Sequence, residues 1–397
     1  MKRLVILGAG TGGTMMANHL YKKLEPEWKL TLLDQYPNHY YQPGFLFIPF
    51  GMYSEKDVVR PKRDFIPEGV EYVESTVDRI EPNTNQIRLE SGATMSYDIL
   101  IIATGSKSAP ELTPGMLGED WRKQIFDFYT IDGAIALHRA LQDWNGGRLV
   151  IHLLELPVKC QVAPIEFTFL AEWWLTQHRL RERTELTYVT PLPRVSMKPS
   201  CSDTLEPVAK RKGITVVNGF KTERVDAPHH SIVSEEGKTV PYDLLVTIPI
   251  HTGDQAIARS GFGNRRHFVP TDPRTLQSKV NENVFVLGDA TDVMTSKAGS
   301  VAHFESEVLT RNILHYIHGE PLEQSYDGHA NCYIESGYNK AIFVDFGYDR
   351  QPAPEKYPLP HLGPLSGLEE THANHLGKLA LRWIYWNVLL RGRKTSF

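Results

Sequence analysis

The 397-residue chain carries only three cysteines, Cys160, Cys201 and Cys332, too few and too scattered for a fold held together by disulfide staples. None belongs to a Cys-x-x-Cys pair, and no histidines fall at zinc-ligand spacing, so no metal site is expected. No uncharged apolar run approaches the roughly 18 residues that a membrane-crossing helix needs. The first apolar run, Leu4–Leu7, is already a strand, and no basic and apolar leader precedes it, so no Sec-type signal is expected. Lysine and arginine number 43 against 47 acidic residues, a net charge of -4, and without a basic field no nucleic-acid partner is expected. There is no low-complexity tract. The most informative absence is glycine, which does not occur between Gly147 and Gly213.

What is present begins at the N-terminus. Leu4–Leu7 runs into Gly8, Gly10 and Gly13, and an amphipathic stretch from Thr14 to Leu24 follows. This is the strand, tight turn and helix of a dinucleotide fingerprint: Gly8 makes the turn, Gly10 admits a pyrophosphate, Gly13 lets helix and strand pack, and the helix N-terminus offers free N–H groups. A second strand, Lys29–Leu33, ends at Asp34, placed 21 residues past Gly13 to accept from a ribose hydroxyl. Two later strands end in the same style, Tyr97–Ile102 before Ala103-Thr104-Gly105 and Val284–Leu287 before Gly288-Asp289. An aspartate beside a glycine at a strand end can bond the ribityl chain of a flavin.

Together these segments resemble the flavoprotein disulfide reductase superfamily, with FAD as the implied cofactor. The expected fold is α/β, with two Rossmann-like dinucleotide-binding-type domains plus a C-terminal membrane-association segment. Residues 1–110 and 242–325 are expected to form a discontinuous FAD-binding domain, 111–241 a second Rossmann-like domain without a nucleotide fingerprint, and 326–397 a C-terminal redox, quinone and membrane-association region. In the second domain the sequence predicts a strand near Arg148–Leu154, a helix from Pro164 to about His178 and a strand at Leu186–Val189. A nicotinamide-binding relative would carry a second glycine turn after the strand at 149–154. Here the chain reads LVIHLLELPVKCQVAPIEF; side chains would obstruct a pyrophosphate and Pro157 lacks a backbone donor. Cys160 stands there instead, and Cys201 falls in a polar Pro/Ser loop, with nothing to distinguish it from a buried structural thiol.

Over nearly the whole length the chain resembles sulfide:quinone oxidoreductase. The shared segments are LVILGAGTGG, YYQPGFLFIPFG, YDILIIATGS, VKCQVAPIEF, VFVLGDATD, the Lys297-Ala298-Gly299 turn, NCYIESG and an aromatic C-terminal helix. The resemblance implies that Cys160 and Cys332 meet at the flavin, joined directly or through bridging sulfur, with Cys160 the sulfur carrier and Cys332 nearer the flavin. It implies hydrogen sulfide as donor, a membrane quinone as acceptor, polysulfide or sulfur as product and a homo-oligomeric state. It adds Pro43, Val77, Lys297 and Gly299 to the cofactor contacts, and Ile342, Phe343, Phe346 and Trp383 to a quinone pocket. A third family cysteine is missing, because Phe126-Asp127-Phe128-Tyr129-Thr130 stands in its place; the FAD is therefore expected to be noncovalent. The family histidine after the third strand of the second domain is absent too, where Val195-Ser196-Met197-Lys198 stands.

Several roles stay open at this stage. Glu166, six residues after Cys160, is read either as a carboxylate stabilising a helix N-terminus or as a proton relay for thiol chemistry. Lys297 is read either as a solvated lysine or, by resemblance, as the cation that stabilises an anionic reduced flavin. Trp383, Ile384, Tyr385, Trp386, Val388, Leu389 and Leu390, with Arg382, Arg391, Arg393 and Lys394, suit a headgroup boundary, implying a peripheral, monotopic protein of a prokaryotic cell membrane. The same helix could instead pack on the core or at a dimer interface. The alternative activities are a type II NADH:quinone oxidoreductase, opposed by the missing glycines, and the flavoprotein subunit of a sulfide dehydrogenase–cytochrome complex.

Overall fold

Leu4–Leu7 has neighbours on both sides and apolar contacts on both faces, which is why the run is uninterrupted by polar residues. In the computed structural model, which describes residues 1–359 and 361–393, Lys2–Leu7 is the middle strand of a five-stranded parallel sheet. Ile99–Ile102 and then Val284–Val286 lie to one side, Trp28–Asp34 and then Glu71–Glu74 to the other. All three glycine-bearing turns, at Gly8, Thr104-Gly105 and Gly288-Asp289, thereby emerge at one edge. The fingerprint helix, Thr11–Leu20, starts there too, three residues earlier than the sequence pattern indicates.

Two of the glycines have no substitute. Gly8 has φ +98°, and a Cβ on it would come 2.4 Å from the Ala103 carbonyl oxygen; one on Gly13 would come 1.7 Å from the Gly8 carbonyl oxygen. The helix lies directly on the turn, so neither can move aside.

A second five-stranded parallel sheet has the order Ile125–Phe126, Leu244–Ile248, Gly147–Leu153, Thr184–Val189, Thr215–Val217. Its helix Ala163–Gln177 matches the expectation closely. The expected boundary at 242 is too early, because Leu244–Ile248 pairs inside this second sheet, between the strands at 125 and 147. The chain crosses between the two units where Lys107–Ser108 pairs antiparallel with His251–Thr252. Cys201 is not in a loop but in the helix Pro199–Arg211, and is buried.

The last part of the chain is a hairpin, Ala330–Gly337 with Lys340–Phe346, joined at its edge by Glu370–Thr371. The hairpin lies against the helix Ala163–Gln177, and the helix His372–Ile384 packs across its strands. Thr371 caps that helix by accepting from the Asn374 N–H. A π turn over Tyr385–Leu389 then buries what the sequence placed at a headgroup boundary: Tyr385 is 4%, Trp386 1% and Leu390 0% exposed. Trp386 stacks on Phe65 at 5.2 Å, under the Arg60 guanidinium, and the Leu390 carbonyl accepts from Asn18. The aromatic helix end is therefore largely core, and only Trp383, 64% exposed, presents a large aromatic surface. No helix among the described residues is long and apolar enough to cross a membrane, and Lys394 lies outside the described residues.

Trp386→Ala removes a fully buried ring stack and is expected to lower stability by about 3–5 kcal/mol, read as a fall in denaturant midpoint with the slope unchanged.

Candidate active site

A cavity of about 610 Å³ starts at the glycine turn, passes Thr104-Gly105 and Gly288-Asp289, reaches Cys160 and Cys332, and continues to Phe343, Leu381 and Ile384. Its first half has the shape and chemistry of a dinucleotide cradle. No side chain caps the helix Thr11–Leu20 at Gly10, and a Cβ built on Gly10, Gly105 or Gly299 would meet nothing within 4 Å. The buried Thr104 hydroxyl has no partner in the protein, and Asp289 is steadied by the Ser106 hydroxyl at 3.1 Å. These residues fit FAD: open space over the glycines for pyrophosphate, and unfilled polar groups at the strand ends.

The sequence-derived cofactor residues divide by position. Gly8, Gly10, Asp34, Pro43, Val77, Thr104, Gly105, Gly288, Asp289, Lys297 and Gly299 all line the cavity; Gly13 does not, and serves packing. Asp34 has protein partners already, accepting from the Ala9 and Tyr36 N–H groups at 2.6 and 2.9 Å and pairing with Lys62 at 2.5 Å. Lys62 was not legible as a site residue, since it lies in a charged loop 28 positions past Asp34. Lys297 is not a solvated lysine. It is 6% exposed, its ammonium donates to the Asp289 and Thr291 carbonyls at 2.9 and 2.8 Å, and burial lowers its pKa.

Cys160 sits in a turn held from three sides. Its N–H donates to the Lys297 carbonyl at 2.7 Å, while its carbonyl accepts from the Ala163 N–H and from the Tyr129 hydroxyl at 3.1 Å. Its φ of +41° is uncommon for a side-chain-bearing residue, and this network holds it there. Tyr129 belongs to the stretch where the third cysteine is missing. That stretch is a turn fixed by Asp127, with Phe128 stacked on Phe167 at 4.5 Å.

The hairpin brings Cys332 to Cys160. Both are free thiols lining this cavity, close enough that each perturbs the other's titration. The neighbouring Cys332 lowers the Cys160 pKa against opposition from burial and Glu166, with help from Lys378; the neighbouring Cys160 and burial push Cys332 well above the ordinary thiol range. Cys160 is thus the readier nucleophile. Burial pushes Cys201 up to about 11.

Glu166 is 1% exposed and its pKa is raised by burial. One carboxylate oxygen accepts from Lys378 Nζ at 2.8 Å and from the Glu335 N–H at 2.9 Å. A partner so buried makes Glu166 more than a helix-terminus charge. Lys378 also donates to the Tyr333 carbonyl at 2.9 Å. The sequence pattern did not single out Lys378, because a lysine on an amphipathic helix reads as surface. Of the quinone candidates, Phe343 lines the apolar end of the cavity; Ile342 and Phe346 are buried elsewhere, and Trp383 points to solvent. Tyr357, Leu365, Leu381 and Ile384 take their place.

Comparison with known proteins gives relatives in sequence and in fold. Residues 2–151 match the pyridine nucleotide-disulphide oxidoreductase family model. The mitochondrial sulfide:quinone oxidoreductase of Dictyostelium discoideum is 26% identical over 98% of this chain and 86% of that protein, and its mouse counterpart 27% identical with the same coverages. The X-ray structure of the Aquifex aeolicus sulfide:quinone oxidoreductase superposes with a TM-score of 0.80 at 20% identity, covering 99% of this chain and 92% of that one. By sequence and by fold, the chain is similar to the sulfide:quinone oxidoreductases. That similarity runs through the hairpin and the last helix as well as the dinucleotide domain. Two of these sulfide:quinone oxidoreductases are mitochondrial, so they do not carry the expectation of a prokaryotic membrane.

With the thiols reduced, iodoacetamide at pH 8 is expected to modify Cys160 ahead of Cys332 and to leave Cys201 unmodified, as read by peptide mass mapping. The sign follows from the lowered Cys160 pKa, which raises its thiolate fraction relative to the other two thiols. A second expectation concerns Glu305, whose pKa burial raises to about 8 while it accepts from the Gly288 N–H. A raised carboxyl pKa gives stability that is full below the unfolded value and lost as pH rises through about 8. Glu305→Gln should therefore melt increasingly above the parent as pH goes from 5 to 9; a constant difference would contradict it.

Proposed function

We propose that this chain is an FAD-dependent sulfide:quinone oxidoreductase that oxidises hydrogen sulfide to polysulfide or sulfur and passes two electrons to a membrane quinone. The observation that carries the reading is the pair of free thiols, Cys160 and Cys332, lining one cavity with a dinucleotide cradle. In its oxidised form the pair holds a sulfur–sulfur bond. Hydrosulfide attacks that bond at Cys160; a new bond makes Cys160 a persulfide, and Cys332 leaves as thiolate. Lys378 lies near enough to favour that thiolate electrostatically, and Glu166 is placed to take a proton from a nearby sulfur. Noncovalent FAD, when bound, supplies two-electron transfer between the sulfur pair and the quinone. Residues that would hold it are Gly8, Gly10, Thr104, Gly105, Gly288 and Asp289.

The far end of the cavity is apolar, lined by Phe343, Tyr357, Leu381 and Ile384. That composition suits a quinone ring. Beside these residues in the chain stand the exposed Leu359, Leu362, Leu376 and Trp383, and the exposed Arg391 and Arg393 follow. Exposed apolar side chains near basic ones favour attachment at a headgroup boundary, which would deliver a quinone from the lipid to the apolar opening.

Anaerobic addition of sulfide to the yellow protein should bleach the flavin, and a soluble quinone analogue should restore the colour. Cys160→Ala and Cys332→Ala should each lose about two orders of magnitude or more in bleaching rate, whereas Cys201→Ala keeps it. Bleaching by NADH but not by sulfide would overturn the reading. For attachment, the double variant Leu376→Ser with Trp383→Ala should float less with vesicles containing anionic lipid while bleaching with sulfide at the parent rate.

A further inference from the structure

Behind the thiols lies a buried set of charges that does not balance. Lys378 supplies one positive charge; Glu166 and Glu335, each 1% exposed, supply two carboxylates. Tyr41 and Tyr53 face the same set from the segment that follows the second strand, and Arg382, one turn past Lys378, is matched by Asp57 at 2.5 Å. Cys160 and Cys332 add no positive charge. A buried set left with one uncompensated negative charge is costly. One further proton must therefore reside in it.

Two places can hold that proton. One is the Glu166 carboxyl, beside the thiols. The other is His375, whose Nδ1 lies 2.9 and 3.0 Å from the two oxygens of Glu335 and whose side chain keeps 9% of its surface. His375 and Lys378 are three residues apart on the helix His372–Ile384 and face the same hairpin. The side chains of His375 and Lys378 keep 9% and 8% of their surface, and of the two side-chain types imidazole is the one that exchanges protons near neutral pH.

We propose that His375 and Glu335 form the outer end of a proton path whose inner end is Glu166 and Lys378, with one proton exchanged between the two ends. The proposal deepens the reading of the site given above. Re-forming a sulfur–sulfur bond from the Cys332 thiol and the Cys160 persulfide releases two electrons and two protons; reducing a quinone consumes two of each. Glu166 receives protons at the sulfur end, Lys378 stands in the same cavity as the apolar end, and His375 exchanges the surplus or deficit with water. His375 and Glu335 do not line the cavity, so they are positioning residues for the proton rather than catalytic ones.

The test uses infrared spectra of the purified, flavin-loaded protein in its resting state. In His375→Gln the odd proton has only a carboxyl to occupy. A protonated-carboxyl band absent from the parent at pH 7.5 should appear in the difference spectrum, which also cancels Glu305. It should vanish in His375→Gln with Glu166→Gln, and in His375→Gln with Glu335→Gln, where one negative charge has been removed. In stopped-flow mixing, His375→Gln should slow reoxidation by a quinone analogue about tenfold, with partial rescue by added imidazole, and shift the pH profile of that step. An unchanged spectrum together with an unchanged pH profile would overturn the proposal. Should His375→Gln fail to fold, Glu335→Gln decides it, with the same slowing of quinone reoxidation and the same shift in its pH profile expected. If sulfide does not bleach the parent flavin, the functional reading fails while the resting-state spectra still judge the proton path.

Discussion

Glu166 joins three parts of the chain that are far apart in sequence. Its carboxylate, in the first turn of the helix after Cys160, accepts from the ammonium of Lys378 in the last helix and from the N–H of Glu335 in the hairpin. All three groups are buried, so the pairing is desolvated, and removing either charged partner would strand the other at a cost of about 3–5 kcal/mol. The hairpin strand that carries Glu335 also carries Cys332 three residues earlier. Holding one holds the other: the ion pair sets where the second thiol stands relative to the first.

The rest of the site is arranged around that constraint. On one side, the Cys160 turn is fastened by the Lys297 carbonyl and by Tyr129, so the strand-to-helix loop of the second domain cannot drift from the Gly288-Asp289 turn of the first. On the other, the last helix is pinned by Tyr385, whose hydroxyl lies 2.7 Å from that of Thr11 and 2.6 Å from His39 Nε2, next to the glycine turn. The C-terminal helix therefore closes the cavity as well as offering an exposed face. An aromatic helix end can serve core packing with Tyr385 and Trp386 while Leu376 and Trp383, on its opposite face, stay in solvent.

Much of this was legible because parallel-sheet folds write their sites at strand ends. Buried strands need unbroken apolar runs, and the glycines and the aspartate that follow them admit only a narrow set of turns; Gly8, Thr104-Gly105 and Gly288-Asp289 could each be read locally. Cys160 stood out because it occupies a turn where glycine would otherwise be needed. Lys62, Lys378, Glu335 and His375 were not legible. A charged residue on an amphipathic helix or an exposed-looking loop carries no local mark of burial, and only its partner from elsewhere in the chain tells it from a solvated one. The boundary at 242 was set too early for a related reason: the apolar run of Leu244–Ile248 suits either sheet, and pairing is a long-range choice.

The sequence by itself determined the dinucleotide fingerprint, the absence of its second copy and the replacement of that copy by a cysteine, because backbone turns depend on a few adjacent residues. Tertiary structure decided that Cys332 meets Cys160, that Asp34 is shared with Lys62, that most of the aromatic tail is core, and that Glu166 lies in a charge cluster with Lys378, Glu335 and His375. Those outcomes depend on which groups lose water together, and desolvation is a property of the packed chain rather than of any segment of it.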